Sequence, residues 1–202
     1  MTASVPTFVI VRHGNTFETG EPPRRIGAHT DLPLTQKGLA QADALGAHFA
    51  GLGWWFERVL SSPLLRTGQT AEAILAHQQG TAVAPQATDW LREIDHGPDE
   101  NQEEDTVLAR IGADALAAWD NQALPPPGWT VDAPSRIAAW QDLFAKQCGA
   151  TLLVTSNGAA RFALVAAGLG HPGGMKLATG SYGVIDRDAA GTLTVREWGR
   201  RP

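Results

Sequence analysis

An arginine and a histidine follow directly after an apolar run near the start of the chain. Residues 8–11 are β-branched or aromatic, a pattern that predicts a buried strand. Arg12, His13 and Gly14 then lie at its carboxyl end, where open α/β sheets bind their ligands. The planar guanidinium of arginine fits phosphate oxygens, and a neutral histidine can act as a nucleophile. Because three residues recur by chance, this motif needs support from the rest of the chain.

A second arginine lies where a helix is predicted to begin. Ser62 is the expected N-cap and Pro63 is expected at the first helical position. The helix is predicted to continue over 64–79, so Arg66 falls in its first turn. A helix start offers free N–H groups and a positive dipole end, which disfavours a cation unless an anion is present. Arg66 therefore indicates an anion site.

Two further regions carry polar residues beside predicted elements. Arg24 and Arg25 lie in a polar loop over 18–31, where they face either a ligand or solvent. A second strongly apolar strand is predicted over 151–156, and Asn157 follows it directly. The ends of the two strands would meet at one edge of a parallel sheet.

The order of predicted elements indicates the fold class. Strands alternate with helices over most of the chain, and the last two strands, 182–187 and 192–198, form a predicted hairpin. This pattern predicts a three-layer α/β/α sandwich with a mainly parallel sheet and an antiparallel edge. We expect one domain over 1–202, with a helical insertion over about 99–148 that covers the site and includes a helix over 107–120.

Composition limits the function classes. The 202 residues are 43% hydrophobic and carry a formal net charge of -5, which favours neither nucleic acid nor an anionic membrane as a partner. Residues 1–6 lack the features of a secretory leader, and the single cysteine, Cys148, excludes an internal disulfide. We therefore expect a cytoplasmic protein. The sequence carries no indication of its oligomeric state.

Four motifs, taken in order, resemble those of the histidine phosphatase superfamily, which has the phosphoglycerate-mutase-like fold. The resemblance covers nearly the whole chain, and together the motifs are highly specific. The matching residues are Arg12-His13-Gly14-Asn15-Thr16; Asp31-Leu32-Pro33-Leu34-Thr35 with Gly38 and Gln41-Ala42; Ser61-Ser62-Pro63-Leu64-Leu65-Arg66 with Gln69-Thr70-Ala71; and Leu91-Arg92-Glu93 with Gly97.

The resemblance implies a role for each matching residue. His13 resembles the nucleophile that takes up the phosphoryl group, Arg12 and Arg66 resemble the arginines that clamp it, and Glu93 resembles the acid that protonates the leaving oxygen. The family's additional loop arginine corresponds to either Arg24 or Arg25. The remaining positions implied to bind phosphate are Asn15, Asn157 and Gly158, and those implied to bind the rest of the substrate are Thr16, Arg24 and Arg25.

The implied chemistry needs a proton donor and no cofactor. A neutral imidazole attacks phosphorus in line, and the leaving alkoxide needs a proton. Glu93 stands beside the apolar Trp90, Leu91 and Ile94, so we expect burial to keep it protonated. The nucleotide P-loop, zinc and EF-hand patterns are absent from the sequence, and we expect no metal in the reaction.

One position departs from the family pattern. A further motif of the superfamily, at the end of a strand, is typically Ser-His-Gly, whereas this chain has Ser156-Asn157-Gly158. An asparagine amide can donate a hydrogen bond but brings no net charge, so we expect a working and slower enzyme. His96 and His171 are candidates to supply the missing charge.

These observations predict a metal-independent phosphatase that forms a phosphohistidine on His13. The default substrate is a small phosphorylated metabolite, with a phosphoprotein as the alternative. Two other functions remain open. A phosphate-binding protein without catalysis is favoured by Asn157, and a phosphomutase would share the first chemical step.

Overall fold

A mixed β-sheet forms the centre of the computed structural model, which describes residues 6–79, 83–146 and 148–202. Within these residues the strand order is β3-β2-β4-β1-β5-β6. Strands β1 to β4 run parallel, whereas β5 pairs antiparallel with β1 and β6 pairs antiparallel with β5. The mainly parallel sheet with an antiparallel edge is thus confirmed. The strands are β1 (Thr7–Arg12), β2 (Arg58–Ser61), β3 (Gln86–Ala87), β4 (Ala150–Thr155), β5 (Tyr182–Arg187) and β6 (Leu193–Arg200).

Helices cover both faces of the sheet because successive strand side chains point in opposite directions. From β1, Val9 and Val11 enter a core with residues of the first two helices, while Phe8 and Ile10 enter a second core on the other face. This arrangement confirms the three predicted layers. The helices are α1 (Gln36–Gly51), α2 (Leu65–Leu75), α3 (Glu104–Ile111), α4 (Ala113–Gln122), α5 (Ala133–Phe144) and α6 (Asn157–Ala167), with short 3-10 helices at Asp89–Leu91 and Gly97–Asp99.

The sheet register brings the chemical residues together. Arg12 pairs with Thr155 across β1 and β4, and Ser61 of β2 pairs with Val154. The segments that follow these three strands therefore start side by side at one edge of the sheet. This edge is where the sequence predicts the ligand site.

The predicted start of α2 was wrong. Leu64, with φ -75° and ψ 143°, is still extended, and the helix begins at Leu65. The hydroxyl of Ser62 accepts the N–H of Leu64 at 3.3 Å, so the turn closes before the helix starts. Pro63 thus lies in this turn and not in the helix. The helix ends at Leu75, earlier than predicted.

The single helix predicted over 107–120 was also wrong. Gly112, with φ +82°, separates α3 from α4, because a left-handed backbone conformation cannot continue a helix. The predicted insertion over 99–148 contains α3, α4 and α5, while residue 147 lies outside the described residues. Of these helices, α5 packs against α6 in the layer that covers the sheet. Residues of α3 and α4 reach the cavity described below.

A search of the described part of the chain for long apolar helices found none that could cross a membrane.

Candidate active site

His13 lies immediately after β1 with its ring buried and its two nitrogens in different surroundings. Its Nδ1 is 2.7 Å from the carbonyl oxygen of Gly14, and because a carbonyl can only accept, Nδ1 must carry the proton. The other nitrogen, Nε2, accepts a hydrogen bond from Nε of Arg66 at 3.2 Å. The ring therefore presents the lone pair of Nε2 toward Arg66, as a nitrogen nucleophile requires.

The surroundings of His13 keep its imidazole neutral. Burial is the main cause that lowers its pKa, and the positive charges of Arg66 and Arg12 lower it further. The hydrogen bond with Gly14 opposes these effects only in part, and the pKa lies well below the ordinary 6.5. A neutral imidazole is the nucleophilic form of histidine.

Arg66 is fully buried and held on three sides. Its Nη1 donates to the carbonyl of Thr30 at 2.7 Å and its Nη2 to that of Gly27 at 3.1 Å. These bonds fix the guanidinium plane and leave Nε facing His13. The residue predicted at the helix start thus faces the nucleophile, from the second position of α2.

One backbone unit positions Arg12 and Asn157 together. The carbonyl of Leu177 accepts a hydrogen bond from Nη1 of Arg12 at 2.6 Å, and its N–H donates to Oδ1 of Asn157 at 2.8 Å. Because that N–H can only donate, the amide oxygen of Asn157 is fixed and its Nδ2 remains a donor. Among the described residues, Nε of Arg12 is buried without a hydrogen-bond partner, which a bound oxyanion would supply.

Glu93 lies against the start of α6, and its protonation state corrects the prediction. Burial does raise its pKa, but the His96 imidazole, the N–H groups of Ile94 and Gly158, and Arg66 together outweigh burial and lower it. The two N–H bonds measure 2.8 Å and 3.1 Å. Glu93 is therefore a carboxylate in the free protein, because these donors favour its ionised form.

Gly158 is required by the position of Glu93. A Cβ atom at this residue would overlap Oε1 of Glu93 and crowd the side chain of Ile94. Its backbone N–H also binds the same carboxylate. Gly158 thus contacts Glu93 directly, and its predicted role in binding phosphate stays a prediction.

These residues border a cavity of about 400 Å³. Both arginines of the polar loop line it, so the choice between them stays open. Arg24 pairs with Glu21 at 3.1 Å, and Arg25 pairs with Glu104 while lying over the ring of Trp129. The lining residues are Arg12, His13, Asn15, Thr16, Phe17, Pro23, Arg24, Arg25, Ile26, Glu93, His96, Glu104, Trp119, Asp120, Asn157, Gly158, Lys176 and Thr179.

Asn15 and Thr16 lie in the turn after His13, and both line the cavity. The amide of Asn15 donates to the carbonyl of Phe17 at 2.6 Å, and its backbone N–H donates to Gln41 at 2.8 Å. These bonds fix the turn that carries the two side chains. The structure thus brings every predicted site residue except Arg66 to the cavity wall, and Arg66 bonds to His13 beneath it.

Several cavity residues were not predicted. Lys176 and Asp120 form an ion pair at 3.3 Å in its wall. Leu177 is not part of the wall, but its backbone atoms position Arg12 and Asn157. No sequence signal marks Leu177, since any residue has the same N–H and carbonyl. His96 was proposed as a source of charge and does line the cavity, whereas His171 is absent from its wall.

No group of three or more histidine, cysteine or acidic side chains in the described segments could hold a metal ion.

Comparisons with known proteins bear on the family and the fold. The family model of the histidine phosphatase superfamily, branch 1, matches residues 8–199. A protein of Rhizobium etli named 2,3-bisphosphoglycerate-dependent phosphoglycerate mutase is 35% identical over 123 residues, which are 60% of this chain. These residues span 58% of the length of that relative.

Two solved structures share the fold. Mycobacterial glucosyl-3-phosphoglycerate phosphatase aligns over 97% of this chain and 99% of its own, with a TM-score of 0.76 and 19% identity. YhfR of Bacillus stearothermophilus aligns over 98% of both chains, with a TM-score of 0.76 and 24% identity. The match of the family model over nearly the whole chain confirms the resemblance seen in the motifs: this chain belongs to branch 1 of the histidine phosphatase superfamily.

Proposed function

We propose that this protein is a metal-independent phosphatase that hydrolyses a phosphate monoester through a phosphohistidine on His13. The observation that carries the proposal is the state of the His13 ring. Its proton is held on Nδ1 by Gly14, its lone pair on Nε2 faces Arg66, and burial between two arginines keeps it neutral. Few roles other than nucleophilic attack on an anion need this combination.

The first step forms the phosphoenzyme. Nε2 of His13 attacks phosphorus, the ester P–O bond breaks, and the leaving oxygen takes a proton from Glu93. Glu93 is ionised in the free protein, so it acquires this proton when the substrate binds. The negative charge of a phosphate beside the carboxylate raises its pKa, which favours that uptake.

The second step releases phosphate. A water molecule attacks the phosphorus of phosphohistidine, the P–N bond breaks, and Glu93, ionised again, accepts the proton of the water. Arg12, whose buried Nε has no hydrogen-bond partner among the described residues, binds the equatorial oxygens in both steps. The positive charge of Arg66 beside His13 offsets the charge of the transferring group.

Asn157 would add a neutral donor through Nδ2. Removal of one oxyanion donor typically lowers kcat about 10²–10³-fold, and a neutral donor in place of a charged one recovers part of this. We therefore expect turnover that is slow relative to an enzyme with imidazole at this position.

A small phosphorylated metabolite is the proposed substrate, with a phosphoprotein as the alternative. The cavity of about 400 Å³ lies in the range of small-molecule sites. A cytoplasmic location is proposed with it, supported by the lone free thiol of Cys148.

A phosphomutase is the second candidate, because the Rhizobium etli relative carries that name. The two activities differ in the fate of the phosphoryl group. A phosphatase releases inorganic phosphate in proportion to substrate consumed, whereas a mutase returns the group to an organic acceptor. Measurement of free phosphate and of positional isomers in one reaction separates them.

The test of the proposal is hydrolysis of p-nitrophenyl phosphate in the presence of EDTA. Wild-type protein should turn over, and His13→Ala should lose activity by at least about 10³-fold while keeping its melting temperature. Equal activity of the two proteins would refute the nucleophile. Tight binding of inorganic phosphate without turnover of any ester would favour the non-catalytic binding protein instead.

A further inference from the structure

His96 is a second imidazole in the wall of the catalytic cavity. It is 4% exposed, and it lines the same cavity as His13, Glu93 and Asn157. Its ring packs edge-on against Trp129, with 4.5 Å between the ring centroids. Among the described residues, its Nδ1 is buried without a hydrogen-bond partner. A buried imidazole in the wall of the cavity that also holds His13 is placed to contact a ligand bound there.

Glu100 fixes the position of His96 relative to the phosphate clamp. One carboxylate oxygen of Glu100 lies 3.7 Å from Nδ1 of His96. The other accepts hydrogen bonds from Gly27 at 2.9 Å and Thr30 at 2.6 Å, in the loop whose carbonyls hold Arg66. Glu100 thus connects His96 to the loop whose carbonyls hold Arg66. The fold therefore fixes the position of His96 relative to Arg66.

The site has a deficit that an imidazole could fill. Asn157 provides only a neutral amide where the superfamily motif has histidine. Of the described residues that line the cavity, His13 and His96 are the two with imidazole rings. His13 is the proposed nucleophile, so it cannot also stabilise the transferring oxygens. Donors placed around the phosphoryl group are the main source of rate enhancement in such transfers.

We propose that His96 is the second imidazole of the phosphoryl-transfer site. Its Nδ1 lies on the side of Glu100, so Nε2 is the nitrogen that donates to the phosphoryl oxygens and offsets the loss of charge at Asn157. The proposal rests on the proposed phosphatase function for its catalytic readout. It differs from a packing role for His96, in which the ring would only fill space against Trp129.

The test is a double-substitution cycle between positions 96 and 157. His96→Phe keeps an aromatic ring against Trp129 and should lower kcat for p-nitrophenyl phosphate by about 10²-fold. Asn157→His should raise kcat only a few-fold in the wild type and at least tenfold more in the His96→Phe background. The kcat of His96→Gln, which keeps a neutral donor, should lie between those of the wild type and His96→Phe.

A second cycle needs no turnover. Orthovanadate affinity, measured by calorimetry, should fall at least tenfold in His96→Phe and recover when Asn157→His is added. His77→Phe is the matched control, because His77 pairs with Asp43 outside the cavity and its loss should leave both readouts unchanged. Melting temperatures establish that each variant is folded.

The outcomes separate this proposal from the proposed function. Wild-type protein that neither turns over an ester nor forms phosphohistidine refutes the phosphatase, while the orthovanadate cycle still decides on His96. A His96→Phe variant within twofold of wild type in orthovanadate affinity overturns the role of His96. If His96→Phe causes the same loss of kcat and of orthovanadate affinity with asparagine as with histidine at position 157, the role of His96 is also overturned. A packing role predicts such additive effects.

Discussion

At the scale of single residues, the chemistry depends on where two protons lie. His13 is neutral in the free protein because burial and two arginines depress its pKa. Glu93 is ionised because His96 and two backbone N–H groups outweigh its burial. The reaction needs His13 neutral, as it is in the free protein, but it needs Glu93 protonated. A proton must therefore enter with the substrate.

The pH dependence of kcat/KM for an alkyl phosphate should show this. Because free Glu93 has given up its proton, kcat/KM should rise as pH falls from 8 to about 6, where the dianion of the phosphate monoester takes up one proton. Protonation of His13 should not reduce kcat/KM near 6.5, since its pKa lies well below that value. A decline between pH 7.5 and 6.5 would show that the histidine titrates normally.

Loss of the proton donor should depend on the leaving group. Glu93→Gln should slow release of an alkyl alcohol by about 10²–10⁴-fold. The first burst of nitrophenolate from an aryl phosphate should stay fast, because that group leaves without a proton. Steady turnover should still fall, since water attack needs the carboxylate. Stopped-flow kinetics measure the burst and the steady turnover. Equal losses in the rate of leaving-group release from the alkyl and the aryl phosphate would argue against an acid role for Glu93.

The identity of the chemical residues was predictable, while the state of Glu93 was not. His13, Arg12 and Arg66 follow from strand ends, a helix start and sequence motifs. The pKa of Glu93 depends on N–H groups such as that of Gly158, 65 residues away in sequence. Apolar neighbours along the chain predicted the burial correctly, but they carry no information on these distant donors.

At the scale of elements, the site is formed where the first turn of α6 meets the turn before the 3-10 helix Gly97–Asp99. Glu93 accepts the N–H of Gly158, whose missing side chain leaves room for the carboxylate. The segment around Leu177 holds Arg12 and Asn157 from the opposite side. A small shift of α6 would therefore move the acid and the neutral donor together.

A methyl group at Gly158 should separate catalysis from folding. Gly158→Ala forces Glu93 out of its present position, and we expect kcat to fall about 10²-fold with retained secondary structure. Gly51→Ala is the matched control, because a Cβ at Gly51 meets open space. Steady-state kinetics and circular dichroism of both variants provide the check. Equal activity of the two variants would contradict the packing that we describe.

The elements themselves were predicted unevenly. Thr35 caps α1, and its hydroxyl accepts the N–H of Gly38. The start of α2 was misplaced because Ser62 caps a turn that precedes the helix. The break at Gly112 was missed, because the apolar spacing continues across it although the helical backbone conformation ends there.

At the scale of the whole molecule, the partly buried carboxylate of Glu100 links stability to pH. The pKa of Glu100 falls to about 2, because the nearby His96 imidazole and hydrogen bonds from Thr30 and Gly27 outweigh its burial. A depressed carboxyl pKa stabilises the fold above the unfolded value of 4.5, and this contribution is lost as pH falls from 4.5 toward 2. The loop that holds Arg66 should loosen in that range.

Glu100→Gln should therefore change the acid stability of the protein. The variant should be less stable than wild type at pH 7 and should lose less stability between pH 4.5 and 2, since it has no carboxylate to protonate. Urea unfolding at pH 7, 4.5 and 3 measures this. Parallel loss of stability in the two proteins would show that Glu100 does not carry the linkage.

The layered fold was predictable as a whole because strands and helices alternate and a hairpin closes the chain. Within the stretch 99–148, α5 packs against α6, while residues of α3 and α4 reach the cavity. Apolar spacing shows that a helix has a buried face but not which partner covers it.

The central claim is a covalent phosphoryl group on His13. Protein mixed with p-nitrophenyl phosphate in EDTA, quenched within milliseconds at alkaline pH and digested, should yield an acid-labile phosphate on the peptide that contains His13. The label should approach one group per molecule in Glu93→Gln, which cannot activate water, and should be absent from His13→Ala. Turnover by the wild type with no phosphate on His13, or with phosphate on another residue, would contradict the account.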